Sequence, residues 1–411
     1  MPSGSHLPFP VDDNLNVSVK MGDSPSADAF GRLRVSEPDT LFDSKQIHDA
    51  QPLFWDDQET SGGGTGSSHS ADEAATTISV GATTAGIRIR QTFRRFNYQP
   101  GKSQQVLVTF SEFDTSAGLF KACGYYDDDN GLFFESDAGT VGVTRRSYVT
   151  GSAVDTTVTQ ANWNLDKMDG TGVSGATLDF TKSQIGFIDF EWLGVGRVRM
   201  GFVVDGMIYY CHEFLNANNL ATVYMSTPNL PLRYEIQNDG TGAADDFVHI
   251  CTSVISEGGQ ESNGLLRHKA SGGISSLNTG TSYAMIGVRL QGAKLDEVVN
   301  LEGLSLLSST NNDQVEWSLI FNPTVAGTFT YADETNSAVQ TATGASTNTI
   351  SGGTSIDGGF FTTSQPISEP LSNALKIGSA IDGTPDEIVL VATPITNNIT
   401  VYASLTWREL S

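Results

Sequence analysis

A pair of strand-like segments joined by Asp205-Gly206 constrains the fold of this chain more than any other feature. Residues 197–204 and 207–214 are rich in β-branched, aromatic and other apolar side chains. An Asp-Gly pair tolerates positive φ at both turn positions, which the twist of a two-residue hairpin turn requires. The sequence therefore predicts an antiparallel hairpin at this point.

Similar strand signals recur along the chain. Residues 86–93 alternate apolar and polar side chains, and residues 125–134 predict a second hairpin with Asn130-Gly131 in its turn. Helical patterns are few, and the many glycines favour turns and loops. We therefore expect an all-β fold with two β-sandwich or jelly-roll domains. The strand order of the first domain resembles the concanavalin-like sandwiches of lectin and laminin-G-type modules.

Polar and glycine-rich stretches divide the chain into four predicted parts. Residues 1–75 are expected to form an extended N-terminal anchoring arm with a Gly/Ser linker at 61–68. A lectin-like sandwich is predicted over 76–262 and a linker over 263–282. The second sandwich is then expected over 283–411.

The net charge of −24 limits the partners that the protein can have. A surface that binds nucleic acid needs net Lys and Arg, and so does one that binds an anionic membrane. We expect neither partner. The sequence has no secretory leader pattern and no apolar run of about 18 residues, the length that predicts a membrane span. Synthesis and folding in a cytoplasm are expected.

The three cysteines, Cys123, Cys211 and Cys251, are too few for a disulfide framework. They lie in strand-like surroundings, which predicts small buried side chains. A pair among them could still form a bridge. Their spacing does not resemble a zinc site.

Sequence motifs for catalysis are incomplete. Gly101-Lys102-Ser103 ends like a phosphate-binding loop, but the glycine that the loop needs upstream is replaced by Phe96. The chain has no Gly-x-Ser-x-Gly and no His-Glu-x-x-His motif. We therefore predict that the protein is not an enzyme.

Two acidic segments are the candidate places for a weak calcium site or a sugar contact. Asp127–Asp129 lacks the glycine and the final glutamate of a calcium loop, so a plain hairpin turn is favoured there. Asp245-Asp246 is the second segment. No other cofactor is expected.

Glycoside hydrolysis is the enzymatic alternative. It needs two carboxylates about 5–9 Å apart in a cleft. The acids that lie on or near predicted strands are Glu112, Glu135, Asp189 and Glu191. Chance pairs are expected among 47 acidic residues, so this alternative is the weaker one.

A basic stripe stands out on an acidic protein. It consists of Arg88, Arg90, Arg94 and Arg95. One interpretation is a solvated strand face with cross-strand ion pairs. The other is a docking face for an acidic neighbour, such as a second copy of the chain.

The tract Asp28-Ala-Phe-Gly-Arg-Leu-Arg-Val-Ser36, with Thr40-Leu-Phe-Asp-Ser-Lys45, resembles one near the N-terminus of structural proteins in tailed-bacteriophage particles. The segment that begins at Trp317 loosely resembles the β-rich C-terminal part of those proteins. The resemblance implies a non-enzymatic virion protein that assembles with other capsid or tail proteins. Capsid decoration or cement, or another head-associated role, is the leading expectation. By analogy with three-fold capsid positions and with fibres, a homotrimer is expected.

Two alternatives remain beside capsid decoration. One is a tail fibre or receptor-binding protein whose first sandwich recognises a glycan of the host surface. The other is a polysaccharide depolymerase.

The predicted arm carries apolar and basic side chains in an otherwise polar segment, which suits docking on a partner surface. The predicted docking residues are Phe30, Arg32, Leu33, Arg34, Val35, Leu41, Phe42, Phe54 and Trp55. The alternative is that the arm packs back on its own sandwich.

Overall fold

A computed structural model describes residues 27–29, 31–34, 37–309, 313–363, 367–371, 376–396 and 398–410. The described residues form strands and connecting turns, apart from a short 3-10 helix at Gln160–Asn162. The expected all-β fold with two sandwiches is confirmed.

The first sandwich is built from fifteen strands. They are β1 (Asp39–Lys45), β2 (Trp55–Gly62), β3 (Thr65–Ser70), β4 (Ala75–Val80), β5 (Gly86–Thr92), β6 (Gln104–Ser111), β7 (Leu119–Tyr126), β8 (Gly131–Asp137), β9 (Thr140–Ser147), β10 (Val154–Thr159), β11 (Gln184–Phe190), β12 (Val198–Val204), β13 (Met207–Phe214), β14 (Leu232–Asn238) and β15 (Asp245–Ser256).

These strands form two antiparallel sheets around one core. The eight-stranded sheet has the order β13-β12-β11-β6-β15-β4-β3, and β1 also pairs with β15. The seven-stranded sheet has the order β10-β9-β8-β7-β14-β5-β2. Inward-facing side chains of both sheets, many of them aromatic, fill the space between them.

The second sandwich is built from fourteen strands. They are β16 (Leu265–Ala270), β17 (Ile274–Leu277), β18 (Tyr283–Leu290), β19 (Val299–Ser308), β20 (Gln314–Phe321), β21 (Thr324–Val325), β22 (Ala332–Asp333), β23 (Val339–Thr343), β24 (Ile350–Ser351), β25 (Thr354–Thr362), β26 (Ile367–Pro370), β27 (Lys376–Ile377), β28 (Ile388–Pro394) and β29 (Ile399–Glu409).

Two six-stranded sheets enclose the second core. One has the order β16-β29-β19-β26, with β17 beside β29 and β27 beside β19. The other has the order β22-β23-β18-β28-β20-β25. A separate two-stranded pair joins β21 to β24.

The predicted hairpins are present. Val204 pairs with Met207, and both Asp205 and Gly206 have positive φ, as the Asp-Gly turn requires. In the second hairpin Tyr126 pairs with Gly131, so Gly131 begins β8 and the turn occupies 127–130 instead.

The predicted Gly/Ser linker at 61–68 is wrong. Strand β2 extends to Gly62 in one sheet and β3 begins at Thr65 in the other, so only Gly63 and Gly64 cross between the sheets. A Cβ at Gly62 would lie 2.0 Å from the Ala85 carbonyl oxygen. Glycine is therefore needed for close packing here and not for flexibility.

The predicted linker at 263–282 is also wrong. Leu265–Ala270 and Ile274–Leu277 both pair with β29, and Leu277 is fully buried in the second core. Glycines and serines between these strands suggested a loop, but the long strand β29 provides backbone partners for both segments.

Candidate functional site

The N-terminal tract folds into a tight turn against the first sandwich. Ala27 and Leu33 form an antiparallel bridge, and Gly31 N–H donates to the Asp28 carbonyl oxygen at 2.9 Å. The Asp28 carboxylate accepts bonds from Arg32 N–H at 2.7 Å and from Arg32 Nε at 2.6 Å. The side chains of Asp28 and Arg32 therefore fix the shape of the turn themselves.

A buried carboxylate, Asp189 in β11, holds this tract in place. Arg34 Nη2 donates to Asp189 Oδ2 at 2.6 Å, and Ser103 Oγ donates to Asp189 Oδ1 at 2.6 Å. Arg199 in β12 is also fully buried and donates both to Asp189 and to the Ala27 carbonyl oxygen. Tyr210 Oη donates to Asp189 at 3.1 Å, and burial with the nearby carboxylate raises the Tyr210 pKa. Charges removed from water are thus paired and hydrogen-bonded.

Further ion pairs surround this cluster. Arg34 Nη1 lies 2.8 Å from Glu257 Oε1, and Arg32 Nη2 lies 3.4 Å from Glu191 Oε1. Burial raises the pKa of Glu257, although the Arg34 cation opposes the shift. The described residues of the tract, 27–29 and 31–34, therefore pack as part of the first sandwich.

The four acids considered for glycoside hydrolysis do not share one site. Asp189 and Glu191 are fully buried below the tract, where arginine side chains contact both carboxylates. Glu135 lies in β8 of the other sheet and accepts a bond from Thr144 Oγ1 at 2.7 Å. A substrate has no access to the Asp189–Glu191 pair in this arrangement.

The structure places the predicted docking residues in different environments. Phe42 and Trp55 are each 2% exposed and belong to the first core, so the prediction that these two contact a partner is wrong. They were misassigned because a polar context hid their place in β1 and β2. The pairing of Arg34 inside the chain likewise corrects its assignment.

The other docking residues stay predictions. Leu33 and Phe54 are exposed, whereas Leu41 is partly buried against the first core. Arg32 is largely exposed and bonded as described above. Phe30 and Val35 lie outside the described residues.

The basic stripe is not a free docking face. Arg88 Nε lies 2.6 Å and Arg90 Nη1 3.3 Å from the Asp57 carboxylate, and Arg95 Nη1 lies 2.6 Å from Asp127. Arg90 is buried over the Trp55 ring. The interpretation as ion pairs is therefore confirmed for these three arginines, but their side chains are largely buried and not solvated as expected. Arg94 has a different environment, described below.

The Asp127 carboxylate stabilises the hairpin turn. It accepts bonds from the N–H groups of Asp129 and Asn130 at 2.9 and 2.8 Å, in addition to its pair with Arg95. Burial alone would raise the pKa of Asp127, but the Arg95 cation and these hydrogen bonds together keep it below the ordinary value. Among the described residues, no group of three or more His, Cys, Asp or Glu side chains is arranged to hold a metal ion.

The second acidic segment lines an open polar cleft of about 480 Å³. Asp245, Asp246 and Glu112 stand beside backbone from Gly64–Gly66 and Gly81. The buried Lys121 Nζ lies 2.8 Å from Asp245 and donates to the Glu112 carbonyl oxygen at 2.7 Å. The cleft therefore offers carboxylate oxygens beside closely approaching backbone, which suits hydroxyl-rich molecules.

Sequence reasoning missed the exposed edges of the second sandwich. Strands β16 and β25 each pair with one neighbour within the described residues. Leu265 and Leu266 of β16 are 65% and 58% exposed, and Phe360 of β25 is 68% exposed. A signal was present in the Leu-Leu and Phe-Phe pairs, because neighbouring side chains in a strand point to opposite faces.

No family model matches this chain, and no curated protein matches it. Solved structures with a similar arrangement include a protein of unknown function from Shewanella oneidensis MR-1, at 10% identity and a TM-score of 0.34, covering 55% of this chain and 90% of that one. The carbohydrate recognition domain of Emp47p has 10% identity and a TM-score of 0.33, over 54% of this chain and 97% of its own.

A glycoside hydrolase family protein from Mycobacterium thermorestibile has 14% identity and a TM-score of 0.36, over 52% of this chain and 99% of its own. We draw no functional conclusion from likenesses of this size. Within the part of the chain that the structure describes, no helix has the length and hydropathy of a membrane span.

Proposed function

We propose that this protein is a non-enzymatic structural subunit of a bacteriophage particle, in a capsid-decorating or other head-associated role. The N-terminal tract supports the particle assignment through its resemblance to virion proteins. The observation that carries the assembly role is the pair of exposed apolar edges, at Leu265 and Leu266 in β16 and at Phe360 in β25. Assembly through these edges replaces anchoring by Phe42 and Trp55, which are buried.

Edge strands with exposed apolar side chains favour association. Their free N–H and C=O groups can pair with a strand of another chain, and soluble proteins usually protect such edges with charges, prolines or short strands. In β16 both adjacent leucines are exposed, so each face of this edge begins with one exposed apolar side chain. Burial of one leucine side chain contributes about 1.5–3 kcal/mol. A second copy of the chain, in a trimer, is the proposed first partner.

The double variant Leu265→Lys/Leu266→Lys tests this proposal. Charged lysines on the edge should weaken self-association by about tenfold or more and should remove the protein from purified particles, without unfolding it. The control is Val173→Lys, which places one lysine at an exposed apolar position in the first sandwich. Sedimentation velocity and quantification of the protein in particles are the measurements. Wild-type behaviour of the double variant in both would contradict the edge assignment.

A receptor-binding role at the polar cleft is the second candidate. The cleft favours it because Asp246 is exposed beside Asp245 and Glu112, and carboxylates accept bonds from sugar hydroxyls. Asp246→Asn should reduce adhesion of the purified protein to host cells if this role is correct. Release of reducing ends from host polysaccharide would instead indicate a depolymerase.

A further inference from the structure

A mainly apolar cavity of about 290 Å³ lies between the two sandwiches. Phe54 and Phe93 come from the first sandwich, and Phe321, Ile356 and Ile388 from the second. The Phe93 and Phe321 rings meet edge to face, with centroids 6.2 Å apart. The cavity is near the lower end of the roughly 300–1,000 Å³ that small-molecule sites occupy.

Backbone contacts fix the walls of this cavity. Ser379 N–H donates to the Phe93 carbonyl oxygen at 2.9 Å, and Ile381 N–H donates to Asp56 Oδ2 at 2.7 Å. A Cβ at Gly378 would lie 2.2 Å from the Phe93 carbonyl oxygen, so glycine permits the close approach. The two sandwiches are thus joined directly beside the cavity.

Two cations line the same cavity. The Arg94 guanidinium lies over the Phe42 ring at 4.7 Å and the Phe54 ring at 5.7 Å. Its Nε is buried and has no hydrogen-bond partner in the described part of the chain. Lys376 is partly buried, and burial together with the Arg94 cation lowers its pKa to about 8. The Asp43 charge partly offsets the lowering of the Arg94 pKa by burial, and the Asp39 charge does the same for Lys376.

Neither Arg94 nor Lys376 has an ion-pair contact among the described residues, whereas most arginines of the first sandwich do. Two neighbouring cations in a partly dry site repel each other, and an anion between them would relieve both the repulsion and the unmet hydrogen bonding.

A buried carboxyl lies at the same cavity. Asp386 is 3% exposed; its Oδ1 accepts a bond from Asn322 Nδ2 at 2.9 Å, whereas its Oδ2 has no partner among the described residues. Burial raises the Asp386 pKa to about 6. A buried acceptor without a partner is costly unless water completes its hydrogen bonding.

We propose that this cavity binds a small molecule with an aromatic or branched aliphatic body and one carboxylate group. The body packs among Phe54, Phe93 and Phe321, and the carboxylate binds Arg94 and Lys376. This inference is independent of the proposed assembly role. No described residue of β16 lines the cavity, and Ile356 of β25 lines it whereas the exposed Phe360 of that strand does not.

Calorimetric titration of the full chain at pH 7 tests the proposal, with 4-phenylbutyrate and 4-phenylbutan-1-ol as probes. The acid should bind saturably, and the neutral alcohol about tenfold or more weakly. Equal affinity for both, or no saturable binding of the acid at millimolar concentration, overturns the proposal. This comparison requires no variant.

Two variants then locate the site. Lys376→Met should weaken binding of the acid by about tenfold and leave binding of the alcohol unchanged. Ile356→Trp should fill the cavity and abolish binding of both probes. Lys182→Met removes an exposed cation outside the cavity and is the matched control. Circular dichroism and thermal unfolding verify that each variant is folded. Unchanged binding of the acid by folded Ile356→Trp places the probe elsewhere and overturns the assignment.

Discussion

The two sandwiches share an architecture but differ in what their interiors contain. The first has a core rich in aromatic rings, and buried, paired charges such as Arg199 with Asp189 lie on the outer face of one of its sheets, below the N-terminal tract. The aromatic members of the second core are Tyr283, Trp317, Phe361 and Trp407, and the rest are mainly aliphatic. Specific ion pairs therefore determine how the first sandwich is completed by the N-terminal tract, whereas the second combines an ordinary apolar core with exposed edges.

The buried acids extend this contrast. In the first sandwich Asp189 is contacted by two arginines. In the second, Glu297 is partly buried near Glu409, and its Oε1 has no hydrogen-bond partner among the described residues. A charge network stabilises one sandwich, and repulsion between acids weakens the other.

Removal of the Asp189 carboxylate should lower the free energy of unfolding more than any other change considered. Asp189→Ala leaves buried Arg199 and nearly buried Arg34 without their common partner, which should cost about 3–5 kcal/mol of unfolding free energy. Urea denaturation measures the loss. Amide hydrogen exchange should accelerate in β11 and β12 and stay unchanged in β28 and β29.

The control for this change is Asp155→Ala, which breaks the more exposed Arg146–Asp155 pair. We expect that control to change stability by less than about 1 kcal/mol. Equal effects of the two substitutions would contradict the special position of the Asp189 cluster.

In the second sandwich, removal of the Glu297 charge should increase the free energy of unfolding, by an amount smaller than the loss expected for Asp189→Ala. Burial and the Glu409 charge raise the Glu297 pKa from 4.5 to about 7. Between these values the folded state binds the proton more strongly than the unfolded state, so stability falls as pH rises through this interval. Glu297→Gln should therefore increase stability at pH 8 by about 1–2 kcal/mol, after allowance for partial exposure.

Thermal unfolding of wild type and Glu297→Gln from pH 4 to pH 8 measures this difference. The gain should shrink toward zero below pH 4.5, where both folded and unfolded Glu297 carry a proton. A variant less stable than wild type at pH 8 would show that Glu297 is charged and favourably bound.

The smallest effect is expected for Arg32→Ala. The Arg32 side chain is 55% exposed although it contacts Asp28 and Glu191. Water reaches the Arg32 guanidinium and screens its contacts, and the Glu191 contact is long at 3.4 Å, so the loss should stay below about 1 kcal/mol. Chemical denaturation of Arg32→Ala and Asp189→Ala under the same conditions compares the two positions. A loss as large as that of Asp189→Ala would extend the essential cluster to the outer face of the tract.

The sequence predicts the local features of this fold well. The Asp205-Gly206 hairpin and the alternating strand at 86–92 need only neighbouring residues for their conformation. Strand β1 could not be predicted in the same way, because its partner β15 lies some two hundred residues later. Polar surroundings then made Phe42 look like an anchor for another molecule.

The candidate sites depend even more on distant contacts. Arg34 and Asp189 are 155 positions apart, and no spacing rule relates them. The cavity between the sandwiches combines Phe93 with Phe321, which follow unrelated strand patterns. The Leu265-Leu266 and Phe360-Phe361 pairs did leave a signal in the sequence, and glycine-rich stretches beside both pairs obscured it.

The pairing of β1 with β15 has a consequence for synthesis on the ribosome. Asp39 pairs with Ser256, so the first sandwich cannot close until that serine has left the exit tunnel. At about 5–20 residues per second the early strand waits roughly ten to forty seconds, with Phe42 exposed to other nascent chains. We expect a chaperone to shield this segment during translation, and a slower-translating message to lengthen the period in which the newborn protein is vulnerable.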